Sequence, residues 1–196
     1  MNPKLNKKYS VLFSSTCRYY IITGGRGSGK SFATTVFLTL LTMSKGVRVL
    51  FTRYTMVSAH LSIIPEFLEK IGLLGYDSIF SINKAEVVNT STKSDILFRG
   101  IKTSSGNQTA SLKSLQGISC WILDEAEELV DENIFDTIDL SIRDKSTQNR
   151  IILILNPTTK EHWIYRKFFE SKGIEAGFNG IKDNVCYIHS TYLDNK

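Results

Sequence analysis

Residues 24–31 read Gly24-Gly25-Arg26-Gly27-Ser28-Gly29-Lys30-Ser31, and Gly24, Gly29, Lys30 and Ser31 fill the fixed positions of G-x-x-x-x-G-K-[ST]. No other stretch constrains the fold as much, because this phosphate loop works only between a strand and a helix. A triphosphate carries several negative charges. A helix N-terminus offers unpaired N–H groups with partial positive charge. Wrapping amides around phosphate requires close approach, which glycine allows at Gly24, Gly25, Gly27 and Gly29. Lys30 is expected at the β and γ phosphates and the Ser31 hydroxyl on Mg²⁺. Ser28 and Phe32 complete the expected nucleotide contacts. The flanks suit the motif. Tyr19 to Thr23 reads as a buried strand leading in, and Phe32 to Met43 as an apolar-rich helix leading out.

The chain has 196 residues, enough for one domain with a substantial core, and 42% of them are hydrophobic. A formal net charge of +5 permits contact with a phosphate backbone without establishing it. Cys17, Cys120 and Cys186 are odd in number and lack C-x-x-C spacing, which argues against a disulfide framework. Each reads as a small buried hydrophobe. His60, His162 and His189 show no metal-ligand spacing. No secretory signal and no membrane-length apolar run is present, so a cytoplasmic protein is expected. Residues 1–16 read as a polar, basic arm. Residues 17–196 read as the domain proper.

Strand and helix patterns alternate along the domain. Lys45-Gly46 stops the first helix, Val47 to Thr52 is a strand, and Arg53 sits at its end. Leu61, Ile64, Leu68 and Ile71 have helical spacing, with Pro65 predicting a kink or two pieces. Residues 79–101 read as a small antiparallel insertion, and residues 102–117 as a long polar loop. Ser119 to Leu123 reads as a buried strand, and Ile151 to Leu155 as a central parallel strand. Residues 131–142 and Trp163 to Phe169 read as helices, and Val185 to Ile188 as a last strand. The expected fold class is α/β: a P-loop NTPase three-layer sandwich, mainly parallel, with helices on both faces.

Trp121-Ile122-Leu123-Asp124-Glu125 is an apolar strand ending in two carboxylates. Beside a phosphate loop, Asp124 is placed to order Mg²⁺ and Glu125 to polarise the attacking water. Glu127 and Glu128 read as a solvated helical face. Arg26 lies inside the loop, where a guanidinium could stabilise charge on the γ-phosphate. Arg53, Arg143 and Arg150 are candidates for contacts between subunits. Asn83-Lys84-Ala85-Glu86 nearly matches a guanine-selecting N-K-x-D pattern, but it ends in Glu and precedes the Asp124 strand, so ATP is favoured.

Together these motifs resemble the large terminase subunit of tailed bacteriophages. The carriers are Arg18-Tyr19 before the phosphate loop, Arg53, Lys113-Ser114-Leu115-Gln116-Gly117 leading into Asp124-Glu125-Ala126-Glu127, Asn156-Pro157, and the closing Ser190-Thr191-Tyr192-Leu193-Asp194-Asn195. The resemblance implies the N-terminal ATPase domain, of the additional-strand, catalytic-glutamate class. ATP hydrolysis by this domain would power translocation of double-stranded viral DNA into a procapsid, inside the host cytoplasm. It implies Arg26 as a finger acting in cis and Asn156 as the residue that senses the γ-phosphate and couples hydrolysis to movement. It implies Arg18 and Tyr19 on the adenine side. Implied partners are backbone-gripped DNA, a portal protein, a small terminase subunit and further copies in a ring, with the isolated domain a monomer. The nuclease domain usual in such subunits is not expected in this chain. The alternatives are another P-loop ATPase, helicase-like in kind, a small-molecule kinase, and a nucleotide-gated interaction module with little turnover.

Overall fold

The computed structural model describes residues 4–56, 63–83, 85–103, 106–107, 109–157 and 159–194. Leu61, His60, Lys84 and Asn195, each part of an expectation above, lie outside the described residues.

A 3₁₀ turn, Lys7–Ser10, runs into a short helix α1, Val11–Ser14. Strand β1, Tyr19–Thr23, leads through the glycine-rich loop into α2, Lys30–Leu41. Then come β2, Arg48–Thr55, and α3, Ile63–Leu73. A hairpin follows, β3 Phe80–Asn83 and β4 Glu86–Asn89, then β5, Asp95–Thr103. The short β6, Gly106–Asn107, precedes α4, Thr109–Lys113. Strand β7, Cys120–Asp124, precedes α5, Glu132–Asp139, and β8, Arg150–Leu155. A π-helical turn, Tyr165–Phe169, precedes β9, Gly180–Lys182, and β10, Val185–His189.

The strands form one sheet in the order β3-β4-β5-β2-β7-β8-β1-β10-β9, with β6 pairing on β5. From β5 to β10 every pairing is parallel. The two ends are antiparallel. One strand, β8, separates the strand before the phosphate loop from the strand ending in Asp124. This is the additional-strand arrangement.

Alternation along the strands divides the core between two faces. Tyr20 and Ile22 pack with Phe37 and Leu38 of α2, Phe67 and Ile71 of α3, and Tyr9 and Leu12 of the N-terminal segment. Ile21 faces the other way, with Trp121, Leu123, Phe135 and Ile138 of α5, and Trp163. Phe135 lies between Trp121 and Trp163, with ring centroids at 5.3 and 4.6 Å. Each such ring contributes about 1.5–3 kcal/mol by leaving water, and the Trp121 indole N–H still finds Thr52 Oγ1 at 2.9 Å. The result is the expected three-layer α/β sandwich. The three cysteines are free and buried, and burial pushes the Cys120 and Cys186 thiols up to about 12. Among the described residues no helix is long and apolar enough to cross a membrane.

Four sequence expectations are refined or changed. Within the N-terminal arm, the described residues 4–16 pack onto the domain, because Tyr9 and Leu12 are only 1% exposed and belong to the core. Pro65 does not kink α3, because it is the third residue of the helix, where no intrahelical N–H bond is required. The strand at residues 95–99 is no part of a separate insertion: β5 pairs in parallel with β2, and the hairpin β3–β4 extends the main sheet. Residues 102–117 contain the end of β5, β6 and α4, with Leu112 anchoring that helix in the core.

Candidate active site

The parallel strands all end on one edge, and chemistry-bearing residues gather there because each follows or closes such a strand. The glycine-rich loop leaves β1. Gly24 packs so tightly that a Cβ on it would lie 2.1 Å from the Ser190 carbonyl oxygen. Gly29 caps α2 at φ 84°, in the left-handed region that glycine adopts freely. It carries no side chain to satisfy the helix N–H groups, which stay available to an anion.

Lys30 opens α2, and its Nζ donates to the carbonyls of Gly24 and Gly25, the latter at 3.0 Å, and to Asn156 Oδ1 at 3.3 Å. Burial holds the ammonium below the usual lysine range, opposed by the charges of Glu127 and Asp124. Asn156 follows β8 and bridges two charged groups, since its Nδ2 donates to Glu127 Oε1 at 2.7 Å. Glu127 is therefore no solvated face. Its other carboxylate oxygen is buried without a partner among the described residues.

Asp124, the last residue of β7, is 8% exposed. Register places Thr52 beside Leu123, so Arg53 falls beside Asp124. The guanidinium meets Asp124 Oδ2 at 2.7 and 2.8 Å and Glu125 Oε2 at 3.5 Å. Burial raises the Asp124 carboxyl above the usual range, against the pull of Arg53. Glu125 is raised likewise, by burial first, with Arg53 opposing. Glu125 also sits at φ 53°, a left-handed conformation costly for a residue with a Cβ.

Gly25 to Phe32, Arg53, Asp124, Glu125 and Asn156 line one cavity of about 380 Å³, joined by Glu66 and Lys70 of α3. Arg26 is exposed at its rim. Glu66 and Lys70 pair with each other and were not anticipated. Their i,i+4 spacing reads as an ordinary surface pair, and only the packing of α3 beside α2 brings it to the cavity. The donors suit Mg²⁺: the Ser31 hydroxyl and a buried carboxylate at Asp124 face the same space, and a hard cation takes oxygen ligands. Among the described residues no group of three or more His, Cys, Asp or Glu could hold a metal ion. Mg²⁺ usually takes only one or two carboxylates beside phosphate oxygens, so this does not count against the fit.

Arg18 and Tyr19, expected on the adenine side, do not line this cavity. They stand at the start of β1, about 13 Å of strand from the loop. Both hold Asp139, Arg18 Nη2 at 2.5 Å and the Tyr19 hydroxyl at 2.8 Å, and Arg18 also donates to the Ile142 carbonyl. They tie β1 to the end of α5. Of the three arginines considered for contacts between subunits, Arg53 is held within the chain. Arg150 is partly buried against Gln148 and Phe37. Arg143 is exposed.

A mainly parallel sheet, a phosphate loop after β1 and acidic residues after β7, with one strand between, define a P-loop NTPase-like domain. The profile of the phage terminase large subunit family matches residues 16–196, and the chain belongs to that family. It is 25% identical over 190 residues to the PBSX phage terminase large subunit of Bacillus subtilis (strain 168), covering 90% of this chain and 42% of the relative. It is 26% identical over 193 residues to the large terminase subunit of Bacillus phage SPP1, covering 90% and 41%. The chain thus spans about two fifths of the length of these relatives. Among solved structures, it is similar to the large terminase from a thermophilic bacteriophage in complex with ATP-gamma-S, with TM-score 0.71 and 12% identity over 98% of this chain and 46% of that one. It is also similar to the N-terminal domain of the DNA packaging ATPase from bacteriophage phi29, with TM-score 0.70 and 14% identity over 97% and 99%.

Proposed function

We propose that this chain hydrolyses ATP to ADP and phosphate, and that hydrolysis drives the packaging of double-stranded viral DNA. The observation that carries the reading is the convergence of Lys30, Ser31, Asp124, Glu125 and Asn156 on one cavity at the strand ends. Family membership supports it, and so does the likeness to a terminase solved with ATP-gamma-S.

The loop amides and Lys30 hold the β and γ phosphates. Ser31 and Asp124 would hold Mg²⁺, which would supply charge neutralisation at the phosphate oxygens. Glu125 accepts a proton from water as the water oxygen attacks the γ-phosphorus. The bond to the bridging oxygen breaks, and that oxygen leaves with ADP. Arg26, at the cavity rim, stabilises charge on the transferring group. Catalysis in such a site is mostly positioning and electrostatics. Asn156 touches Lys30 on one side and Glu127 on the other, so it couples the phosphate end to β7 and β8. The nucleoside end lies in a second cavity of about 680 Å³, lined by Lys4 to Lys7, Gly29, Phe32 and Asp194.

DNA is gripped through its backbone, a portal protein and a small terminase subunit are the packaging partners, and the motor works in the host cytoplasm as a ring of copies. The test is phosphate release with and without double-stranded DNA across a salt series. The expected result is ATP turnover that DNA stimulates, the stimulation fading steeply with salt as counterion release requires. ATP bound but never consumed, with or without DNA, overturns the reading in favour of a nucleotide-gated module.

A further inference from the structure

Ser28 sits near the apex of the phosphate loop, 1% exposed. Its carbonyl oxygen accepts from two hydroxyls, Tyr9 Oη at 3.0 Å and Ser190 Oγ at 3.1 Å. The two hydroxyls also contact each other. Tyr9 is 1% exposed and Ser190 is fully buried. They come from the N-terminal segment and from the residue after β10, so the loop is held from behind by distant parts of the chain. Ser190 contacts the loop at two points. Its backbone carbonyl abuts Gly24, and its side chain reaches Ser28. Flanking contacts hold the two segments together: Lys8 Nζ meets Asp194 Oδ2 at 2.9 Å, and Asn6 Nδ2 donates to the Asp194 carbonyl at 2.9 Å.

The consequence follows from peptide geometry. A trans peptide points its C=O and N–H in opposite directions, and the described residues contain no cis peptide. Holding the Ser28 carbonyl on the outer side therefore aims the N–H of Gly29 the other way, and Gly29 lines the phosphate cavity. The peptide between Ser28 and Gly29 is otherwise easily turned over, because Gly29 carries no Cβ to restrict it.

We propose that Tyr9 and Ser190 are positioning residues: their hydroxyls clamp the Ser28 carbonyl and so present the Gly29 amide to a bound phosphate. The proposal rests on the phosphate-binding reading of the cavity and names no contact between either hydroxyl and the nucleotide. Burial raises the Tyr9 phenol above its usual range, so it remains a hydroxyl donor across the working pH range. Two protons serve three contacts, so either hydroxyl can fill the carbonyl alone. Removing one has a small effect, and removing both frees the peptide.

The experiment compares wild type, Tyr9→Phe, Ser190→Ala and the double variant. It measures the Kd for inorganic pyrophosphate by calorimetry, KM and kcat for ATP, and the Tm. Tyr9→Phe keeps the buried ring, so that variant remains informative if the double variant is unstable. The expected result is a rise in Kd and KM of about threefold in each single variant and about tenfold or more in the double, in the range of one lost neutral hydrogen bond or more. kcat stays within about twofold. Unchanged pyrophosphate affinity in a folded double variant overturns the clamp, and so does a loss confined to kcat. A wild type that binds pyrophosphate but does not hydrolyse ATP overturns the hydrolysis reading and leaves the clamp standing.

Discussion

Glu125 occupies a costly backbone conformation immediately after a buried aspartate, with Arg53 in reach of both carboxylates. Burial raises its carboxyl above the ordinary 4.5, while Arg53 pulls it down and Asp124, Glu128 and Glu127 push it further up. A general base works only when deprotonated. Activity should therefore fall as pH drops through the raised value, on an acid limb above that of an ordinary glutamate. Removing the opposing cation in Arg53→Ala should move the limb to still higher pH, which a pH–rate profile of both proteins reads directly. A limb that does not move would show that Arg53 does not set the charge of this carboxylate. Much at this scale was legible, because the loop and the Asp124-Glu125 pair obey local patterns. The Arg53–Asp124 contact was not, because it depends on the register between β2 and β7. Nor was the role of Glu127, which only the return of the chain at Asn156 makes clear.

Strands β7 and β8 are continuous apolar runs closed by polar residues, and such runs declare central strands in any sequence. The short β6 and β9 carry no comparable pattern and exist because a neighbouring strand offers an unpaired edge. The packing of the N-terminal segment was illegible for a similar reason. Tyr9 and Leu12 are too few to look amphipathic, yet they complete the face beside α2. Arg18 and Tyr19 were placed on the adenine side only by the resemblance, and the length of β1 separates them from the loop. Their hold on α5 predicts that Arg18→Ala costs about 2 kcal/mol through lost charged hydrogen bonds to Asp139 and Ile142. For a domain of this size that lowers Tm by about 4–8 °C. KM for ATP should stay within about twofold of wild type. A large rise in KM with unchanged Tm would return Arg18 to the nucleotide.

The order of the strands puts the β1 and β7 ends on either side of β8, so the whole sheet is the frame that brings Lys30, Asn156 and Asp124 together. The mainly parallel sheet follows from strand–helix alternation, the additional strand was implied only by the resemblance, and the fusion of the hairpin β3–β4 with the main sheet was not anticipated. With Arg53 held within the chain and Arg143 exposed, a neighbouring copy that adds a cation would make turnover cooperative in protein. Phosphate release per chain should then rise with protein concentration, and a strictly constant specific rate would argue that one copy is sufficient. The central claim is that this cavity hydrolyses ATP with Glu125 as base. The most direct measurement is steady-state hydrolysis by wild type and Glu125→Gln, with nucleotide affinity measured in both. Gln keeps the shape and cannot take the proton. The account predicts retained binding and turnover lowered by a factor of about 10² or more. Equal turnover in the two proteins, with binding intact, would contradict it.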